Sequence, residues 1–193
     1  MSLDHLRFLQ MFLRTPRTVG AIAPSGRALA AEIIRQAGVK RARTVVELGG
    51  GTGAFTRSIV DQARDDALIL SIEINPTFAK ILSSRFERVC VFADSAERVG
   101  DHLRSLGCSS ADCIVSGLPW ASFALRHQVR LLRAISDALT DGGAFATFAY
   151  AHASLMPSAL RFRTCLYGTF SKVRVTPVVW RNLPPAFVYR CVR

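Results

Sequence analysis

The chain has no run of about 18 consecutive apolar residues, so its sequence predicts no helix that crosses a bilayer. It has no C-x-x-C pair among its five cysteines, Cys90, Cys108, Cys113, Cys165 and Cys191. An odd number excludes a complete disulfide framework, and the spacing argues against a thiolate metal site, so no metal is expected. Cys90, Cys113 and Cys191 sit in apolar runs and read as small core fillers. The N-terminus lacks the pattern of a secretory leader. Asp4, His5 and Arg7 interrupt it, Arg14 and Arg17 follow, and no small-residue cleavage site appears. A cytoplasmic protein is therefore expected. Late acids are missing too. Asp141 is the last carboxylate, and seven basic residues from Arg161 to Arg193 follow without an acid among them.

Half of the 193 residues are hydrophobic and 20% are charged, the balance of a folded chain long enough for one buried core. The net charge of +11 is uneven. The first 43 residues carry eight basic side chains against Asp4 and Glu32, so both ends are cationic and the middle holds the acids. Such ends point to an anionic partner, either nucleic acid or a phospholipid surface.

Val45-Val46-Glu47-Leu48 runs directly into Gly49-Gly50-Gly51-Thr52-Gly53, and Ala54 to Ala63 continues with helical spacing. An apolar run of that kind suits a buried parallel strand, and the glycines suit a turn with positive φ or close ligand approach. Amides at the start of the next helix would face whatever lies on the turn. Glu73 ends a second apolar run twenty positions beyond Gly53 and can accept both hydroxyls of a ribose.

Strands and helices then alternate. Strands are expected at Leu68–Ile74, Val89–Ala93, Cys113–Val115 and Ala144–Tyr150, with helices after Asn75-Pro76, over Glu97–Leu106 and over Phe123–Leu139. Asp141-Gly142-Gly143 is read as the stop of the last of these. After a helical region near Ser158–Leu166, Val173–Trp180 and Ala186–Val192 are joined by a link so short that they must pair antiparallel. The pattern implies an α/β fold, a mostly parallel sheet with helices on both faces and an antiparallel last strand. With no internal repeat and no linker, one domain with an N-terminal extension is the expectation.

In that extension, Leu3 to Arg14 reads as an amphipathic helix. Leu6, Phe8, Leu9, Phe12 and Leu13 lie on one arc, with Arg7 and Arg14 opposite. Such a helix either lies in a membrane interface or packs on its own domain. Ser25 is a good N-cap for a second helix, Arg27 to Gln36, ended by Gly38.

Ligands of open α/β sheets bind beyond the carboxyl ends of the strands. There the first strand offers Glu47–Gly53 and the second Glu73. Asp94 follows the third and can accept from an amino group such as that of adenine. The fourth ends in Ser116-Gly117-Leu118-Pro119-Trp120.

These residues resemble the cofactor signature of the class I S-adenosylmethionine-dependent methyltransferases, whose Rossmann-like fold has a seven-stranded sheet. More closely, the chain resembles the soluble bacterial phospholipid N-methyltransferases, which convert phosphatidylethanolamine stepwise to phosphatidylcholine. That likeness includes Arg14–Ser25, Ser116–Phe123 and Val179–Ala186. It implies an extension over 1–43 acting as membrane and substrate cap, and a methyltransferase domain over 44–193. It implies S-adenosyl-L-methionine held by Glu47, Gly49, Gly51, Gly53, Glu73, Ile74, Asp94, Ser95 and Ser116. Gly50 stands where that family usually has proline, which implies a somewhat looser loop.

Transfer is expected at Gly117, Leu118, Pro119 and Trp120. The methyl sulfonium is already activated, so the main task is to align an amine with it. Trp120 and Tyr150 are candidates for cation–π contact with the nitrogen, each worth about 0.5–2 kcal/mol, and either can instead serve as a core aromatic. Arg181 is a candidate for the lipid phosphate, and His152 for a base or phosphate ligand. The implied partners are an anionic phospholipid surface at the inner face of the cytoplasmic membrane, with Leu6, Phe8, Leu9, Phe12, Leu13 and Arg14 in contact, and phosphatidylethanolamine with its methylated intermediates. An rRNA adenine N-methyltransferase is the alternative. Its related turn carries an asparagine where this chain has Gly117, which makes nucleic acid the less favoured partner. A non-catalytic membrane- or RNA-binding protein on the same scaffold is the third reading.

Overall fold

The computed structural model describes residues 24–193. The expected Leu3–Arg14 helix, with its proposed membrane contacts Leu6, Phe8, Leu9, Phe12, Leu13 and Arg14, lies outside the described residues.

The elements run α1 (Pro24–Ala37), β1 (Thr44–Leu48), α2 (Ala54–Gln62), β2 (Leu68–Ile72), α3 (Pro76–Arg85), β3 (Val89–Phe92), α4 (Val99–Ser105), β4 (Ala111–Ser116), α5 (Leu125–Ala138), β5 (Leu139–Tyr150), α6 (Pro157–Thr169), β6 (Lys172–Val175) and β7 (Ala186–Val192). They form one seven-stranded sheet in the order β3-β2-β1-β4-β5-β7-β6. The first five strands are parallel, and β7 runs antiparallel between β5 and β6. This is the Rossmann-like fold expected of the sequence.

Central β1 shows why its sequence has no alternation. Val45 points into a core that includes Leu29, Ile33 and Ile34 of α1, Ile59 of α2 and Leu82 of α3. Its neighbour Val46 points into the other, with Leu103 of α4, Leu131 and Ile135 of α5, and Phe162 and Leu166 of α6. A strand buried on both faces is mostly apolar, and here only Glu47 interrupts the Val45–Leu48 run. Part of the expected extension thus covers the sheet: Leu29, Ile33, Ile34 and Ala37 of α1 are all buried.

Local signals account for some boundaries. Asn75 caps α3 by accepting from the amides of Thr77 and Phe78, with Pro76 at the first position. Gly38, with φ of 78°, ends α1. Helix α1 begins at Pro24, which places Ser25 inside its first turn rather than ahead of it.

Two expectations fail locally. Helix α5 stops at Ala138, and the fully buried Leu139 already pairs with Ala111 as the start of β5. The Asp141-Gly142-Gly143 signal therefore marks a bulge near the start of β5, between the pairs Ala111–Leu139 and Cys113–Ala144. Strand β6 ends at Val175, not Trp180, because Pro177 cannot donate to the ladder. The Thr176 amide still donates to Val188 O at 2.9 Å, and the next bridge is Val179–Ala186.

Candidate active site

The glycine loop leaves β1 in a path that only glycine follows easily: φ is 76° at Gly49, 53° at Gly51 and 90° at Gly53. Gly50 has a different reason to be glycine. A Cβ there would lie 2.7 Å from Leu82 Cδ1 and from Ser71 Oγ, and 2.9 Å from Glu47 Oε2. The loop rests directly on the buried carboxylate beneath it.

That carboxylate is fully buried. Glu47 Oε2 accepts from Thr56 Oγ1 at 2.7 Å and Ser71 Oγ at 2.8 Å. Its Oε1 is buried with no hydrogen-bond partner among the described residues. Burial pushes the acid up to about 7, opposed by the two hydroxyls and reinforced by the charge of Glu73. Glu73, beyond β2 and only 5% exposed, has both oxygens engaged. Oε2 accepts from the Gly51 amide and Oε1 from the Asn75 amide, each at 2.9 Å. The two acids at the ends of β1 and β2 thus meet at one loop. Ile74 follows, half exposed beside them.

Asp94 lies at the same sheet end, beyond β3, and is paired more extensively than its sequence position suggests. Oδ1 accepts from the Ser95 amide at 2.7 Å, while Oδ2 meets Arg98 Nη1 at 2.9 Å and His102 Nε2 at 3.0 Å. The Ser95 amide above all, then His102 and Arg98, hold Asp94 below the usual carboxylate range. Ser95 also caps the short helix Ala96–Arg98. The His102 ring is nearly buried and packs on Phe92, with ring centroids 4.2 Å apart.

The turn after β4 is built from Ser116. Its Oγ accepts from the Leu118 amide at 3.2 Å and from Trp120 Nε1 at 3.1 Å. Gly117 is pressed against the first loop: its amide donates to Leu48 O at 2.9 Å, and an added Cβ would lie 2.8 Å from Gly49 O. Leu118 packs over Gly49, where an added Cβ would meet its Cδ2 at 2.8 Å. Pro119 leads into the short helix Trp120–Ser122.

Trp120 corrects an expectation. It is 3% exposed and stacks on Phe162 with centroids 4.7 Å apart, while Phe123 and Phe145 meet it edge-on. Its indole is held by Ser116 and its carbonyl accepts from Gln128 Nε2 at 2.7 Å. In the described structure it is therefore a core aromatic that anchors the turn, with no face to offer an amine. An aromatic near a reactive turn reads the same in sequence whether it points in or out.

A different aromatic row borders Gly117. A Cβ on Gly117 would sit 3.5 Å from the Phe55 ring. Phe55 lies 5.8 Å from Phe148, Phe148 5.5 Å from Tyr150, and Tyr150 5.8 Å from His152, centroid to centroid. Tyr150 is half-buried, and burial raises its phenol above the ordinary range. His152 is exposed. Of the row, the sequence pointed to Tyr150 and His152 and not to Phe55 or Phe148. Thr56, Ser71 and His102 carried no sequence signal at all, because their roles depend on strand register and helix docking. Arg181 is exposed in the β6–β7 connection, which leaves the sheet where Ala186 pairs with Tyr150. Among the described residues no cluster of three or more His, Cys, Asp or Glu side chains is arranged to hold a metal ion.

Comparisons with known proteins find methyltransferases. The family model described as ribosomal RNA adenine dimethylase matches residues 25–94, the segment that holds Glu47, the glycine loop, Glu73 and Asp94. The ornithine lipid N-methyltransferase of Singulisphaera acidiphila is 32% identical over 195 residues, covering 97% of this chain and 95% of that protein. Among solved structures, the N-methyltransferase NodS of Bradyrhizobium japonicum has a TM-score of 0.68 at 14% identity, over 88% of this chain and 97% of that one. An O-methyltransferase of Bacillus cereus in complex with SAH has a TM-score of 0.67 at 14% identity, over 100% and 92%.

Proposed function

This chain belongs to the class I S-adenosylmethionine-dependent methyltransferases, and we propose that it methylates the headgroup amine of phosphatidylethanolamine and of its mono- and dimethyl forms, towards phosphatidylcholine. The lipid N-methyltransferase matched along 97% of the chain supports a lipid amine as acceptor. The observation that carries the reading is the seat of Gly117. With Gly49 O only 2.8 Å from where a Cβ would be, this backbone has no room for the side-chain amide that adenine methyltransferases aim at their target. Beside it runs the row Phe55, Phe148, Tyr150, whose ring faces suit an amine that gains positive charge as it is methylated. The match to the adenine dimethylases ends at residue 94 and does not reach this turn.

The residues present fit the cofactor. A buried carboxylate oxygen without a donor costs about 1–3 kcal/mol, and Glu47 Oε1 is such an atom directly beneath the loop. Glu47 Oε1 would take its missing donor from the ammonium of the cofactor's methionine part. Glu73, anchored by two amides, would hold the ribose. Ile74 and Asp94 would border the adenine, with Ser95 and Ser116 shaping the adjoining turns. When bound, the cofactor supplies a methyl group on a positively charged sulfur, an electrophile that needs no further activation.

The protein's part is to orient the acceptor. The Gly117–Pro119 backbone lines the place of transfer, since Gly117 is in contact with the cofactor loop through Leu48 O. An ethanolamine ammonium must lose a proton before it attacks. His152, exposed and stacked on Tyr150, is our candidate to take that proton and pass it to solvent. Arg181 takes the lipid phosphate. The enzyme works at the inner face of the cytoplasmic membrane, with apolar residues of the Leu3–Arg14 segment as one contact.

The test offers purified full-length protein methyl-labelled cofactor together with phosphatidylethanolamine in anionic vesicles or with structured RNA. Label in the lipid and none in the RNA is the expected result. Label in the RNA alone overturns the proposal.

A further inference from the structure

The connection between β6 and β7 is inverted relative to an ordinary surface turn. Its polar residue points in: Asn182 is 6% exposed, and its Nδ2 donates to Pro184 O at 2.7 Å while its amide donates to Val179 O at 3.1 Å. Its large apolar residues point out, with Trp180 77% and Leu183 80% exposed. Arg181, between Trp180 and Asn182, is exposed as well. A buried asparagine that fixes the turn from within, while an indole and a leucine face solvent, does nothing for the core.

A second loop repeats the pattern. After β5, Leu155 is 82% exposed and Met156 53%. Leu155, Leu183 and Trp180 are the three most exposed large apolar side chains of the described residues. Both loops leave the sheet from one position, where Tyr150 pairs with Ala186 and the Ala151 amide donates to Pro185 O at 2.9 Å. That position is the carboxyl end of β5, the end at which the glycine loop and the Gly117 turn also lie.

We infer that these two loops form a bilayer-docking rim, in which Leu155, Met156, Trp180 and Leu183 enter the headgroup region of an anionic membrane and Arg181 meets lipid phosphate. Charge complementarity selects the occupant. No carboxylate follows Asp141, so neither loop carries an acid, and none lies in α6, β6 or β7 beside them. An anionic surface is attracted without a repelling group in the rim. An indole at the tip suits the interfacial zone, where an apolar body and a polar N–H are both accommodated. Choosing a bilayer over another anionic partner rests on the lipid-amine reading above. The rim is distinct in sequence from the expected N-terminal membrane contact, and it sets the face of the molecule that holds the candidate site towards the membrane.

The chain has two tryptophans, and Trp120 is buried, so vesicle-induced changes in emission report on Trp180. Full-length protein is mixed with phosphatidylglycerol vesicles containing brominated acyl chains. The expected result is a blue shift with strong quenching, both lost in Trp180→Phe. Leu155→Ser/Leu183→Ser is expected to lower partitioning into the vesicles by about tenfold or more. Protein that sediments with vesicles while Trp180 remains unquenched docks elsewhere and overturns the inference. So does Trp180 emission that responds to a structured RNA and not to vesicles. A separate readout keeps the two claims apart: turnover of freely dissolved short-chain phosphatidylethanolamine needs no docking. The double variant is expected to retain it at the wild-type rate. Quenching of Trp180 without any turnover in the wild type leaves the rim standing and removes the lipid-amine acceptor.

Discussion

The amide of Gly51 donates to Oε2 of Glu73 at 2.9 Å, tying the acid beyond β2 to the glycine loop beyond β1. The Asn75 amide holds the other oxygen at the same distance. Glu73→Ala removes an acceptor shared by the loop and by the start of α3. We expect binding of S-adenosylhomocysteine to weaken by roughly ten- to a hundredfold, the loss of one or two charge-assisted hydrogen bonds. Calorimetric titration checks this, and affinity equal to wild type would remove Glu73 from the cofactor site.

Gly117 faces Gly49 O with no room for a side chain. Gly117→Ala forces one of two backbone loops to move, at about 1–3 kcal/mol by the usual cost of overpacking. The expected outcome is a lower Tm together with at least about a tenfold loss of turnover, since the moved turn is where the acceptor is aligned. An unchanged Tm and rate would mean that the turn is not under that constraint.

Glu47 gives the molecule a pH dependence with a definite sign. Burial raises it from 4.5 to about 7, so between those values the folded protein keeps a proton that the unfolded chain has released. Stability contributed by this group is complete below the unfolded value, falls as pH rises towards about 7 and is level above it. The total is about 3 kcal/mol at most. Glu47→Gln keeps the shape and removes the slope. Urea unfolding of both proteins from about pH 5 to about pH 8 checks it, and parallel profiles would show that Glu47 does not titrate in this range.

Trp120 is expected to affect folding rather than acceptor binding. Truncation to alanine removes a ring stacked on Phe162 and is expected to cost about 3–5 kcal/mol of stability. Trp120→Phe keeps most of the packing but loses the bond to Ser116. Its KM for the acceptor should equal wild type while its Tm falls. A raised KM at unchanged Tm would instead place the indole against the substrate.

Much of this was legible in the chain because parallel strands buried on both faces announce themselves as mostly apolar runs. Val45–Leu48 and Leu68–Ile72 are of that kind, broken only by Glu47 and Ser71, and Glu47 and Glu73 stand at the strand ends where ligands of such sheets bind. Capping chemistry marked α3 through Asn75-Pro76. What failed depended on tertiary context. Asp141-Gly142-Gly143 is a helix stop by local chemistry, yet Leu139 is drawn into β5 by its pairing with Ala111. The inward turn of Trp120 and the outward turn of Trp180 are equally invisible, since composition does not say which way a ring faces. The pairing of Asp94 with His102 needs α4 docked beside β3.

The central claim is that the acceptor is the amine of phosphatidylethanolamine. Mass spectrometry of intact lipid tests it most directly, after purified full-length protein and S-adenosylmethionine are incubated with anionic vesicles holding phosphatidylethanolamine and ornithine lipid together. Successive methyl additions on phosphatidylethanolamine, ending at phosphatidylcholine, are expected. Methylated ornithine lipid beside unmodified phosphatidylethanolamine would contradict it.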